Sequence, residues 1–136
     1  MHQIQTYIVE DSPVIRKSLI ATLEELGSVA VIGTAEDEAT AVQWLTQADN
    51  HIDLVIVDIF LKRGSGMGVI RAAKKLKLNH KLVVLSNYAT QDMRRKCLEL
   101  GADRVFDKSN EIEALIQFCG ELADGDAVNS GHVVPA

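Results

Sequence analysis

The sequence predicts a single α/β domain in which a five-stranded parallel sheet carries helices on both faces. Three observations point to it. Five short β-prone runs alternate without interruption with five stretches of helical periodicity, the pattern of repeated βαβ units. The central run, Leu54-Val55-Ile56-Val57, is apolar at every position, as a strand buried on both faces requires, whereas a strand with one wet face alternates. A chain of 136 residues is long enough for one core and too short for two ordinary domains.

Taken in order, Thr6-Tyr7-Ile8-Val9 is the first strand and runs into Glu10-Asp11. Ser12-Pro13 then opens a helix, Ser as its N-cap and Pro at the first position, where the missing N–H costs nothing. Ile15, Leu19, Thr22, Leu23 and Leu26 recur at helical spacing and Gly27 stops the helix. Val29-Ala30-Val31-Ile32-Gly33 is the second strand, and Glu36-Asp37 leads into a helix with Ala41, Trp44, Leu45 and Ala48 inward. Asn50 and Asp53 bracket the turn into the central strand. After Gly64, Gly66 and Gly68, a third helix buries Val69, Ile70, Ala73 and Leu76 and keeps Arg71, Lys74, Lys75 and Lys77 mostly wet.

Lys81-Leu82-Val83-Val84-Leu85-Ser86 is the fourth strand. Met93, Cys97 and Leu100 mark the inner side of a fourth helix closed by Gly101, and Arg104-Val105-Phe106-Asp107 is a short fifth strand ending at Lys108. Ile112, Leu115, Ile116, Cys119 and Leu122 define the last helix. Beyond it, Asp124, Gly125, Asp126, Asn129, Ser130, Gly131 and Pro135 break the periodicity. Residues 1–122 are therefore read as the domain and 123–136 as a flexible C-terminal tail.

Composition excludes several functions. Hydrophobic residues make up 47% and charged residues 24%, with a net charge of −5, which leaves no basic footprint for nucleic acid. There is no apolar run long enough to span a membrane, and Met1-His2-Gln3-Ile4-Gln5 does not look like a secretory signal. Cys97 and Cys119 stand singly in apolar helical patterns, so buried reduced thiols in a cytoplasmic protein are expected. The histidines at 2, 51, 80 and 132 have no metal-ligand spacing, and Trp44 is read as core.

In an open parallel sheet the C-terminal ends of the strands share one edge, where ligands bind. Glu10 and Asp11 follow the first strand, Asp58 the third, Ser86 closes the fourth, and Lys108 follows the fifth. Taken alone, Asp58 could be a turn residue, Asp11 a cap and Lys108 a solvated cation. Three carboxylates, a hydroxyl and an ammonium converging from four segments point to a site instead. Carboxylates this close repel unless a cation joins them, and an oxygen-only donor set suits Mg²⁺. Asp58, kept ionised, could then attack phosphorus as a nucleophile, with Lys108 neutralising the phosphoryl oxygens and Ser86 donating to one of them.

This ordered set resembles the receiver domains of two-component response regulators, from about Thr6 to Leu122. The matching residues are the acidic pair Glu10-Asp11, then Asp58, Ser86 and Lys108. They are supported by Asp11-Ser12-Pro13-Val14-Ile15-Arg16, by Gly66 eight residues past Asp58, and by Gly101-Ala102-Asp103. The resemblance implies a flavodoxin-like doubly wound (βα)5 fold with strand order 2-1-3-4-5, an order for which a chemotaxis receiver is itself a standard example. It further implies Glu10, Asp11, Asp58 and the Phe60 backbone carbonyl as Mg²⁺ ligands. Asp58 is then the phosphoacceptor, Ser86 the switch hydroxyl and Lys108 the phosphate contact. The phosphoryl donor would be a histidine kinase or a His-containing phosphotransfer protein. The chain would signal by protein contacts, without an output domain, and would catalyse only its own phosphorylation and dephosphorylation.

Phe60 and Tyr88 take the places that gate hydrolysis of the acyl phosphate in that family, or else simply pack together. The basic run Arg94-Arg95-Lys96, with the surface near Val105, falls on the face that partners read. A solvated helix face is its ordinary meaning.

Departures from the family pattern are also legible. Lys62 stands where Pro is frequent, and Lys108 is followed by Ser109 in place of Pro. Val105 occupies the position of a switch aromatic, and Phe106 cannot substitute because alternation along a strand points it to the other face. A haloacid-dehalogenase-like phosphatase would need a second Asp at Phe60. An FMN carrier would need a hydroxyl- and Gly-rich loop where Glu10-Asp11 stands, since those acids repel an unmetallated phosphate. A phosphorylation-independent interaction module is the remaining alternative.

Overall fold

The computed structural model describes residues 3–26, 28–47, 51–76, 80–87 and 89–131. Strands and helices alternate throughout: β1 Ile4–Val9, α1 Pro13–Glu25, β2 Val29–Ala35, α2 Glu38–Thr46, β3 Leu54–Val57, α3 Gly66–Leu76, β4 Lys81–Ser86, α4 Gln91–Leu100, β5 Arg104–Asp107 and α5 Ile112–Gly131. All strand pairs are parallel and the order is β2-β1-β3-β4-β5, the flavodoxin-like arrangement. Register aligns Val9 with Val57 and Val57 with Val84, so β1 and β3 end level and β4 runs two residues further, to Ser86.

Every residue of β3 is buried, at most 1% exposed, which is why its sequence does not alternate. Each such Val, Leu or Ile side chain contributes roughly 1.5–3 kcal/mol as an upper estimate of hydrophobic stabilisation. The pleat divides the core in two. Tyr7, Val9, Val55, Val57, Val84 and Val105 face α2, α3 and α4 with Leu45, Ile70 and Cys97. Ile8, Ile56, Leu85 and Phe106 face α1 and α5 with Leu19, Leu23 and Leu115. Phe106 therefore lies opposite Val105, as alternation requires, and tilts against Phe118 with ring centroids 6.0 Å apart.

Caps behave as their chemistry predicts. Ser12 accepts from the Ile15 N–H at 3.3 Å, Asp37 from Thr40 at 2.7 Å, and Thr90 from Met93 at 3.2 Å. Trp44 is half-buried and stacks on Tyr7 at 3.9 Å, at the rim of the core. Cys97 and Cys119 are buried free thiols.

Four expectations need amendment. β1 begins at Ile4 and β2 reaches Ala35, because the flanking residues continue the β1–β2 ladder to both its ends. Of the inward face expected for α1, only Leu19 and Leu23 are buried. Ile15 and Leu26 are exposed because they lie at the helix ends, and Ile15 opens onto a groove shared with Leu85 and Ile112. The last helix does not stop at Leu122: α5 runs on to Gly131. No Pro interrupts that stretch, one interior Gly costs only about 1 kcal/mol, and Ala123 is buried against the α1 side of the core. Gly27, Ala48, Asn50, Lys77 and Tyr88 lie outside the described residues, as do 132–136.

Candidate functional site

Main-chain hydrogen bonds carry the sheet one residue past its strands and so fix the residues at its edge. The Asp58 N–H donates to the Val9 carbonyl at 2.9 Å, Glu10 N–H to Ala35 at 2.9 Å, and Lys108 N–H to Ser86 at 2.9 Å. Four segments are thereby registered before any side chain is considered. Glu10, Asp58 and Ser86 are all buried despite being polar, the combination that demands internal partners.

Lys108 supplies them for the two acids. Its Nζ lies 2.5 Å from Glu10 Oε1 and 2.9 Å from Asp58 Oδ2, among side chains no more than 9% exposed. The second Glu10 oxygen accepts from the Ser12 N–H at 3.0 Å, and the Glu10 carbonyl accepts from Arg16 Nη1 at 2.8 Å. Asp58 Oδ1 accepts from the Phe60 N–H at 3.3 Å. Glu10, Asp11 and Asp58 can each bring one carboxylate oxygen within 4.8 Å of the others. Burial pushes the Glu10 carboxyl above its ordinary range and outweighs the hydrogen bonds from Lys108 and Ser12. Burial also works against the Lys108 ammonium. Its hydrogen bonds to Glu10 and Asp58, with their charges, prevail and hold it above the ordinary lysine value.

The loop after Asp58 folds back on itself. Phe60 and Ser65 form an isolated antiparallel bridge, and the Gly66 N–H donates to the Ile59 carbonyl at 2.9 Å. Gly66 is required by this close approach, since a Cβ there would sit 2.2 Å from the Asp58 carbonyl oxygen. Ser65 then caps α3 by accepting from the Met67 N–H at 3.1 Å. Phe60 is 51% exposed beside the acids.

The basic run on α4 divides. Arg94 is bonded into the fold: its guanidinium donates to the Ala89 carbonyl at 2.9 Å, the Val105 carbonyl at 3.0 Å and Glu111 Oε1 at 2.7 Å. The same Glu111 oxygen accepts from the Asp107 N–H at 2.8 Å. A charge-dense run in sequence cannot distinguish a guanidinium turned into the fold from one turned to solvent. Arg95 pairs with Asp92 at the surface, and Lys96 is exposed. Sequence reasoning also passed over Glu38, which holds the loop at Ser65, and gave Arg16 no role of its own. For Arg16, its place one helical turn past the acidic pair was the available signal.

Comparison with known proteins agrees with this architecture. The family model for the response regulator receiver domain matches residues 6–119. The nitrate/nitrite response regulator NarP of Escherichia coli is 26% identical over 129 residues, 95% of this chain and 59% of that protein. The signal receiver domain of a response regulator NarL from Mycobacterium tuberculosis superposes with TM-score 0.80 at 21% identity, covering 92% of this chain and 99% of that one. The response regulator domain of Thermotoga maritima CheB gives 0.79 at 18% identity, covering 90% and 98%. The chain belongs to the response regulator receiver domain family. It spans about half the length of the first curated relatives it matches. Among the described residues no helix is long and apolar enough to cross a membrane.

Proposed function

We propose that this receiver is a Mg²⁺-dependent phosphoacceptor that takes a phosphoryl group onto Asp58 from the phosphohistidine of a histidine kinase or phosphotransfer protein. The observation that carries the reading is the Lys108 ammonium bridging Glu10 and Asp58, in the same cluster as Asp11. One ammonium faces three acids, and the donor set is all oxygen, so the residues present fit a hard divalent cation. Glu10, Asp11, Asp58 and the Phe60 carbonyl would hold it. When bound, Mg²⁺ supplies the positive charge that makes phosphoryl oxygens welcome in an acidic site.

The chain's own groups supply the remainder. An Asp58 carboxylate oxygen forms the new bond to phosphorus as the bond from phosphorus to the histidine nitrogen breaks, and that nitrogen keeps the electron pair. Lys108 exchanges its contact with Asp58 for one with a phosphoryl oxygen, and Ser86 offers its hydroxyl to another. The donor has a surface to approach by. A groove of about 400 Å³ next to Lys108 is lined by Val14, Ile15, Leu19, Leu85 and Ile112, and Val14 is 78% exposed. Lys96, Arg95 and the rest of the α4 face remain for a downstream protein. Cytoplasmic signalling by protein contacts is the role this implies.

Incubation with acetyl phosphate and Mg²⁺, read by intact mass, tests it. The wild type should gain one phosphoryl group and Asp58→Ala none. Absence of uptake by the wild type overturns the reading in favour of a phosphorylation-independent module.

A further inference from the structure

We propose that Glu38, on a helix remote in sequence from the acids, is a positioning residue that sets the shape of the Asp58–Gly66 loop and aims the Phe60 carbonyl. The inference rests on the metal-dependent reading above and adds a residue to it. Glu38 grips the loop twice. Its Oε1 accepts from the Ser65 N–H at 2.8 Å, and its own N–H donates to the Arg63 carbonyl at 3.2 Å. Ser65 is the residue bridged to Phe60, and Phe60 in turn donates to Asp58. Two hydrogen bonds and the bridge between them therefore link the Glu38 carboxylate to the proposed phosphoacceptor and to the carbonyl beside it.

The glycines of this loop are explained by the same side chain. A Cβ at Gly68 would lie 2.0 Å from Glu38 Oε2, and one at Gly64 would lie 2.5 Å from Glu38 Cβ. Gly64 also has φ +80°, a conformation side chains disfavour. Two of the three glycines thus make room for a carboxylate supplied by α2. That carboxylate sits over the first turn of α3, where unpaired N–H groups and the helix dipole favour negative charge. Backbone ligands have no rotamer of their own, so their direction depends wholly on how the loop is held. Groups that orient a ligand from behind are worth about 10–100-fold in metal affinity.

The test uses Glu38→Ala, Glu38→Gln and Gly68→Ala. Mg²⁺ affinity is measured by calorimetry, and amide hydrogen exchange at Phe60 and Ser65 is followed in metal-free protein. Glu38→Ala should weaken Mg²⁺ binding by about 10-fold and speed exchange at both amides. Gly68→Ala, which displaces the carboxylate without removing it, should do the same. Glu38→Gln keeps the accepting oxygen and should stay near the wild type in both measurements. Unchanged Mg²⁺ affinity in Glu38→Ala overturns the inference, as does equal loss in Glu38→Gln. A wild type that binds no Mg²⁺ at all overturns the metal-dependent reading itself, while the exchange comparison still reports on the loop.

Discussion

Lys108→Met is the sharpest perturbation the site offers, because it removes one charge and leaves the packing of the side-chain stem nearly intact. In the wild type the ammonium makes two charge-assisted hydrogen bonds, at 2.5 and 2.9 Å, to carboxylates whose side chains are 3% and 9% exposed. Water cannot take over for a partner lost at that depth. Removing one member of a buried ion pair costs about 3–5 kcal/mol, and here a single deletion strands two acids. Urea unfolding across pH reads the effect. Without the ammonium, Glu10 keeps its burial and loses its main counter-charge, so its folded pKa rises further above the unfolded value of about 4.3. A raised folded pKa leaves stability intact below the unfolded pKa and removes it as pH climbs through the folded one.

The deficit of Lys108→Met should therefore be small near about pH 4 and approach about 3–5 kcal/mol by about pH 8. In the wild type the Lys108 contribution should persist through the whole neutral range. On the alkaline side it should be lost as pH rises through its folded pKa, above the ordinary value of 10.5. Mg²⁺ should shrink the deficit by supplying the missing charge. A deficit under about 1 kcal/mol that is also flat with pH would refute the electrostatic account of the site.

Gly66→Ala places a Cβ 2.2 Å from the Asp58 carbonyl oxygen and 2.7 Å from Ile59 Cα, both rigid backbone. It should cost about 3 kcal/mol or more in urea unfolding and abolish phosphoryl uptake by mass. Arg94→Ala should cost about 2 kcal/mol, since two carbonyls and Glu111 lose a donor on a partly exposed surface. Arg94 holds the Glu111 pKa below its ordinary value, so this part of the stability is present above the unfolded pKa and is lost as pH falls through the folded one. The gap between wild type and Arg94→Ala in urea unfolding should narrow in acid, by an amount that solvent screening keeps modest.

The sheet edge was legible from sequence because a parallel α/β topology does the gathering. Once five strands alternate with five helices, the residue after each strand has a known address, and Glu10, Asp11, Asp58, Ser86 and Lys108 need only be read off. Side-chain commitments away from that edge carry no such address. Arg94 and Arg95 are adjacent and chemically identical, yet one is bonded into the junction of α4, β5 and α5 while the other faces solvent. Glu38 has no sequence relation to Ser65, 27 residues on, and the only trace of it is the glycines that clear its path. The end of α5 was misjudged for another reason. Asp124, Gly125 and Asp126 are poor helix formers, but propensity is worth tenths of a kcal/mol per residue, and a helix already anchored at Leu115, Cys119 and Ala123 continues through them.

Val105 gains meaning from Arg94. Its side chain is packed into the α2–α4 half of the core, and the neighbouring ring, Phe106, is fixed in the other half against Phe118. Neither can carry an aromatic in and out of the face formed by α4, β5 and α5. What spans that face is the Arg94 guanidinium, with one hydrogen bond to Ala89, three residues beyond Ser86, and others to Val105 and Glu111. A shift of the segment between Ser86 and α4 must stretch the bond to Ala89, and the planar guanidinium cannot yield there without turning its bonds to β5 and to the start of α5. That face is thus tied to the segment that follows Ser86 by a charged side chain anchored at three points. That tie, unlike a swinging ring, weakens in acid as Glu111 is protonated.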